Sequence, residues 1–431
     1  MIVHCKAIVC STLILFLALI VLPLNSIAQS MVSNASEDKV PPYTLPDPLT
    51  AKDGKKITTV TEWNNQQRPY IYHLFEQNVY GRYPLVKIPV HYEVLETNKH
   101  ALNNLAVRKQ VRIYLLPPAK NIYIDLLVYL PGAAKGPVPV FTGYNFDGNH
   151  TVMTDTGIVL ASSWIAANSK GVINNMATDS SRGTDTAQWQ LREILSHGYG
   201  LAIAYYGDIE PDNPDGWKTG IRTTLSKALQ IKPEQWSAIG AWAWGLSRIM
   251  DYLQQDKAVD GKRIALIGHS RLGKAALWAG ASDKRFSIVI SNESGEGGAA
   301  LSKRWYGETV AIINHNFPHW FAASYKKYND NTQELPVDQH MLLALMAPRP
   351  LYVASAEGDQ WSDPRGEFLS AKNASVVYKL YNKTGIDTDT MPPLHHPVGQ
   401  TVRYHIRAGR HDVTLFDWQQ YLHFADEYWN K

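Results

Sequence analysis

The stretch from Arg263 to Trp278 constrains this chain more than any other. An apolar run, Arg263-Ile264-Ala265-Leu266-Ile267, reads as a buried strand and ends at Gly268. Ser270 follows, and from Ala275 the composition is helical. A serine on a tight turn between strand and helix has an exposed hydroxyl above a helix N-terminus, the arrangement of a nucleophile elbow. The usual pattern is Gly-x-Ser-x-Gly, whereas here the second glycine is displaced by one position, to Gly273. The competing reading is a serine that simply caps a helix.

The rest of the chain has to supply a sheet around that strand and partners for that serine. A composition 45% hydrophobic and 19% charged is that of a folded globular chain. Residues 1–28 stand apart. Lys6, the apolar run Ala7 to Leu22 and the small-x-small Ser26-Ile27-Ala28 read as a signal peptide cleaved after Ala28. The alternative is an uncleaved membrane anchor, because the run falls barely short of spanning length. Both cysteines, Cys5 and Cys10, lie inside it, so the mature chain would have neither disulfides nor thiolate chemistry. Its near-neutral charge gives no reason to expect nucleic acid or an anionic membrane as a partner. Residues 29–45, polar and ending near Pro41-Pro42, read as a flexible leader, and 46–431 as one catalytic domain.

Val60 to Arg82 reads as a helix closing at Tyr80-Gly81. Three alternating runs follow, Val90–Val94, Val107–Leu115 and Ile122–Pro131, and predict antiparallel strands opening a sheet. More continuously apolar strands are expected at Val138–Asn145, Gly200–Tyr206, Phe286–Ile290, Arg349–Ser355 and Thr401–Ile406, with helix-like sequence between the later ones. Residues 146–190 are long, polar and weakly patterned, which marks a functional or partly disordered loop. Strands alternating with helices predict a mainly parallel sheet covered on both faces. Together with the elbow this is an α/β class chain: an α/β-hydrolase fold, a three-layer sandwich with antiparallel N-terminal strands.

In that fold the nucleophile needs a histidine and an orienting carboxylate, in chain order serine, acid, histidine. His411, in Gly409-Arg410-His411-Asp412, stands where the final strand gives way to the helix Leu415 to Trp429. His269 beside the serine suits packing, His340 a structural use, and His395-His396 an exposed loop. No histidine or carboxylate cluster has convincing metal-ligand spacing, so neither metal nor cofactor is expected. Two carboxylates follow successive strands, Glu293 in Asn292-Glu293-Ser294-Gly295 and Asp359 in Glu357-Gly358-Asp359-Gln360. Spacing does not choose between them.

These segments, Gly268-His269-Ser270-Arg271-Leu272-Gly273-Lys274, Asn292-Glu293-Ser294-Gly295 and Ala356-Glu357-Gly358-Asp359-Gln360-Trp361-Ser362-Asp363-Pro364, resemble the glucuronoyl esterases, carbohydrate esterase family 15, and most closely their bacterial members. The likeness runs from Leu45-Pro46-Asp47-Pro48-Leu49 through Val79-Tyr80-Gly81-Arg82 to the His411 region. The resemblance implies hydrolysis of esters between 4-O-methyl-D-glucuronic acid on xylan and lignin alcohols. It implies Ser270 as nucleophile and His411 as base. Glu293 matches the acid of the fungal enzymes and is ranked first; Asp359 matches an alternative acid of bacterial relatives. Lys274, Glu308 and Trp361 would bind the sugar. The Arg271 N–H, at the start of the helix, is placed to meet an oxyanion, and its guanidinium adds charge there. A monomeric, exported enzyme acting on glucuronoxylan or lignin–carbohydrate esters is expected. The other readings are an acetyl xylan or feruloyl esterase, or a non-catalytic carbohydrate-binding protein on this fold.

Overall fold

The computed structural model describes residues 32–119 and 121–429. The expected signal peptide lies outside them. Twelve strands are present among the described residues. In chain order they are β1 (Val90–Ala101), β2 (Ala106–Leu115), β3 (Tyr123–Pro131), β4 (Val138–Asn145), β5 (Val172–Ile173), β6 (Met176–Ala177) and β7 (Gly200–Tyr205). The rest are β8 (Val259–His269), β9 (Ile288–Asn292), β10 (Leu351–Ala356), β11 (Val398–Gly399) and β12 (Val402–Arg407). Among the described residues, the α-helices of eight or more residues are α1 (Arg68–Phe75), α2 (Ala238–Leu253), α3 (Arg271–Ser282), α4 (Pro364–Leu380) and α5 (Leu415–Trp429).

Ten strands form one sheet in the order β1-β2-β3-β7-β4-β8-β9-β10-β12-β11. Pairing from β7 to β12 is parallel, while β1, β2 and β3 add antiparallel and β11 closes the far edge antiparallel. The expected α/β-hydrolase sandwich is thus present. Its layers follow from the period-two pleat. On β8, Ile264 and Leu266 pack with α2, α3 and α4 residues, while Ala265 and Ile267 pack with Trp418, Tyr421 and Phe424 of α5. Val289 and Ile290, and Val353 and Ala354, split in the same way. A sheet buried on both faces needs strands that are apolar at every position, which is why these runs look continuous in sequence.

The helical stretch from Val60 does close at Gly81, where φ is 80° and a Cβ would lie 2.5 Å from Trp236 Cα. It opens with a capping box between Thr59 and Glu62. The 146–190 loop is structured. It carries the β5–β6 hairpin, and is held by His150 Nε2 against Ser181 Oγ at 2.7 Å and by Arg182 Nη1 donating to Ile158 O at 2.6 Å.

The leader corrects an expectation. Its described part is tied down: Asn34 bridges Gly307, Ser33 Oγ donates to Gly307 O at 2.8 Å, and Glu37 pairs with Arg304 and Arg365. A polar composition reads as flexible only while its partners, some 270 residues away in sequence, stay out of view.

Candidate active site

Ser270 sits between β8 and α3 with φ 55° and ψ −132°, a conformation an L-residue adopts only when its surroundings impose it. Three constraints impose it here. Ser270 N–H donates to Asn292 O at 3.0 Å, at the end of the neighbouring strand. A Cβ on Gly268 would lie 2.2 Å from Leu272 O. One on Gly273 would lie 2.9 Å from Ser294 Cβ and 3.0 Å from Gly268 O. The displaced glycine therefore still serves the close crossing of strand and helix, one residue later than usual.

The carboxyl ends of β9, β10 and β12 bring the other candidates to this point. Glu293 follows β9 directly, with φ 46° and its N–H on Ala354 O at 2.7 Å. Asp359 follows β10 in a turn stitched to the β12 loop by Glu357 N–H on Arg407 O and Gly358 N–H on Gly409 O, both at 2.8 Å. His411 lies in that second loop.

His411 Nδ1 is 2.6 Å from Asp359 Oδ2 and 3.2 Å from Glu293 Oε2. Ionised carboxylates only accept, so Nδ1 carries the proton and Nε2 is left for other work. The two acids differ. Glu293 is fully buried, and burial pushes its carboxyl up to about 7, against the pull of His411 and Arg407. Burial also raises Asp359, but the hydrogen bond and charge of His411 outweigh it and hold that carboxyl below the ordinary aspartate range. The His411 ring is 39% exposed, and what burial it has opposes its charge. The bonds to Asp359 and then Glu293 win, and raise it to about 9.

Beneath His411 lies His269, ring centroids 4.4 Å apart. Asn292 Nδ2 donates to Tyr421 Oη at 2.9 Å, so Asn292 Oδ1 is free to accept from His269 Nδ1 at 2.6 Å. Burial, then the charge of His411, drives His269 down to about 3, so it stays neutral under its partner. The donor atoms of Glu293, Asp359 and His411 lie within 4.8 Å of one another, as metal ligands would. Their arrangement favours proton chemistry instead: both acids address one nitrogen, and Arg407 Nη2, 2.6 Å from Glu293 Oε1, already supplies a positive charge.

Arg271 opens α3, so its N–H is among those with no intrahelical acceptor. Its guanidinium is fixed. Nε lies 2.7 Å from Asp212 Oδ2 and Nη2 donates to Tyr206 Oη at 3.1 Å. The cation also sits over the Phe146, Tyr206 and Trp320 rings at 4.7, 5.4 and 5.8 Å. Asp212 is held in turn by His319 Nε2 at 2.8 Å and Trp320 Nε1 at 2.7 Å.

Lys274, one turn along α3, is buried, with Nζ donating to Ser294 O at 2.6 Å. Burial lowers its pKa, partly offset by Glu308 and Glu296. Glu308 is 7% exposed, its carboxyl raised by burial and drawn back by Lys274 and a hydrogen bond from Trp361. Trp361 itself is 46% exposed, an indole left open rather than packed in the core. Lys274, Glu308 and Trp361 thus form one cluster. Of the histidines set aside, His340 is buried with Nε2 at 2.8 Å from Pro46 O, and His395 and His396 are exposed.

Sequence reasoning missed the supports. Arg407 joins Glu293 to Asp417, with Nε 2.7 Å from Asp417 Oδ2, and binds the 408–412 loop through Asp412 O at 2.6 Å. A signal was available: Arg403, His405 and Arg407 put a polar or charged side chain at every second position of a strand that must be buried. Glu367 of α4 accepts from Ser294 N and Gly295 N at 2.8 and 3.0 Å, fixing the turn after Glu293. Nothing local in the sequence announced it or Asp212.

Sheet order, elbow and strand-end cluster define an α/β-hydrolase. A family model described as glucuronyl esterase of fungi matches residues 229–382. A carbohydrate esterase from an unknown prokaryotic organism is 46% identical over 407 residues, 93% of each chain. The solved glucuronoyl esterase from Solibacter usitatus is 54% identical with a TM-score of 0.86, covering 91% of this chain and 100% of that one. A promiscuous family 15 esterase from a marine bacterial metagenome is 45% identical, also at TM-score 0.86, covering 92% and 99%. The chain belongs to carbohydrate esterase family 15, the glucuronoyl esterases, and sits with its bacterial members as a carboxylic ester hydrolase.

Proposed function

We propose that this protein is an exported serine esterase that hydrolyses esters of D-glucuronic acid and its 4-O-methyl ether, as in lignin–xylan cross-links. The observation that carries the reading is the convergence of Asp359 and Glu293 on His411 Nδ1, which leaves Nε2 for a base's role, on a ring 4.4 Å from that of His269, the neighbour of the strained Ser270. Ser270 Oγ attacks the uronoyl carbonyl while His411 Nε2 takes its proton. The oxyanion is met by the Arg271 N–H and guanidinium. His411 then protonates the leaving alcohol, and the glucuronoyl-serine ester remains. Water, deprotonated by His411, attacks that ester, and the uronate leaves as Ser270 regains its proton. Asp359, ionised and closer to Nδ1, is the better-placed main acid, and Glu293 its buried partner. Lys274 and Glu308 suit ring hydroxyls, and the open Trp361 face suits a pyranose. No metal or cofactor enters this scheme.

Export rests on the Ser26-Ile27-Ala28 pattern; among the described residues no helix is long and apolar enough to cross a membrane. A monomer in solution is proposed as well. Alcohol release from methyl and benzyl glucuronate, set beside acetyl and feruloyl esters of xylose, tests the substrate class. Glucuronate esters should lead, and a clear preference for acetyl or feruloyl esters sinks the assignment. Ser270→Ala should abolish turnover and labelling by a fluorophosphonate. A broader ester range is the second reading, because the 45% identical marine relative is described as promiscuous.

A further inference from the structure

Residues 33–37 of the leader meet the fold at the two loops that carry Glu308 and Trp361. On the first loop, Gly307 N–H donates to Asn34 O at 2.7 Å, Ser33 Oγ donates to Gly307 O, and Asn34 Nδ2 donates to Trp305 O at 3.3 Å. Glu37 lies between the loops, with one carboxylate oxygen on buried Arg304 and the other 3.1 Å from Arg365 Nη1 at the start of α4. Arg304 Nε itself reaches Asp363 at 2.9 Å. The Tyr306 hydroxyl lies between Ala35 O and Gln360 Oε1. Gly307 is pressed between leader and second loop: its φ is 63°, and a Cβ there would lie 2.3 Å from Trp361 O. The next residue, Glu308, donates its N–H to that same carbonyl at 2.9 Å.

We propose that residues 33–37 are a clamp that sets the geometry of sugar recognition, with Asn34 and Glu37 as its positioning residues. Neither touches the reacting groups. Each restrains a loop whose neighbouring side chain, Glu308 or Trp361, faces the substrate, so the inference rests on the reading of those two as sugar contacts. Short irregular loops hold a side chain in place only as well as their backbone is held. The clamp supplies backbone and charged hydrogen bonds from outside both loops, and so lowers the ordering cost that substrate would otherwise bear.

The test uses the full chain carrying Asn34→Ala and Glu37→Ala together. With methyl glucuronate, KM should rise about fivefold at nearly constant kcat, the mark of lost binding rather than lost chemistry. Hydrolysis of 4-nitrophenyl acetate, which has no sugar to recognise, should not change. Amides of Gly307 and Glu308 should exchange with deuterium about tenfold faster, while those of α2 keep their protection. Glu37→Asp should recover part of the KM. An unchanged KM for methyl glucuronate overturns the clamp, and so does a parallel loss of both activities with thermal stability, the mark of a merely structural contact. Glu308→Gln separates the premise from the proposal. If it raises KM and the clamp variant does not, the sugar contact stands and the clamp falls. If it leaves KM alone, the sugar reading falls, and unchanged exchange at Gly307 then disposes of the clamp too.

Discussion

Two arginine–carboxylate pairs flank Ser270, and they are built in opposite senses. On the histidine side, Arg407 and Glu293 are 2.6 Å apart and almost wholly buried. There the carboxylate touches His411, and the arginine is scaffold, tied also to Asp417 and to the loop that carries His411. On the oxyanion side, Arg271 and Asp212 are 2.7 Å apart and partly open. There the arginine faces the reacting carbonyl in the proposed scheme, and the carboxylate is scaffold, held by His319 and Trp320. A buried charge tolerates no loss of its partner, whereas a part-open one can be rehydrated. The same pair of residue types should therefore fail in different ways.

The largest effect expected is on folding. Arg407→Met leaves Glu293 and Asp417 facing each other's surroundings without their shared cation, and should cost about 3–5 kcal/mol of stability by denaturant unfolding. A loss confined to activity would mean that the pair is not a structural unit. Next, Arg271→Met should cost about 10²–10³ in kcat with little change in unfolding midpoint, since the proposed preorganised oxyanion donor is lost. Thermal melts beside steady-state kinetics would show whether the split is real. Asp212→Asn keeps Arg271 and loosens its aim, so a fall of about tenfold in kcat, short of that for Arg271→Met, is expected. If Asp212→Asn equals Arg271→Met, the carboxylate does more than hold the guanidinium.

The smallest effect is a displacement along the pH axis. The proposed base works only when His411 is neutral, so activity rises as pH climbs through its pKa. Asp359 and Glu293 raise that pKa, so removing either charge lowers it and moves the acidic limb of kcat/KM to lower pH. Asp359→Asn should move it by about one pH unit and Glu293→Gln by less, because the nearer carboxylate contributes first. A reversed order would return Glu293 to the rank the sequence resemblance gave it.

Which half of each pair could be read from sequence follows the same division. Ser270, Arg271, Glu293, Asp359 and His411 stand at strand ends, where local pattern and position speak together. Arg407 and Asp212 owe their meaning to partners 114 and 59 residues away, and pairings of that span leave no local trace. Strand order was hidden for a related reason. That β7 lies between β3 and β4 is decided by crossovers, not by any property of its six residues. The leader misled because composition reports what a segment could do alone. Trp361 shows the reverse case: an apolar ring that composition would send inward stays open, because Glu308 takes its N–H and the loop turns it out.

The ends of the described chain lie at opposite poles of the sheet. Residues 33–37 rest against the loops at the strands' carboxyl ends. Trp429 lies at the other pole, where its carbonyl accepts from Arg263 Nη1 and its indole reaches Ser287 Oγ, near where β8 and β9 begin. For anyone attaching the enzyme to a surface or joining it to a carrier, these two ends of the described chain are not equivalent. A carrier coupled beyond Trp429 leaves the proposed site turned outward, toward substrate. One coupled just ahead of Ser33 stands in the doorway.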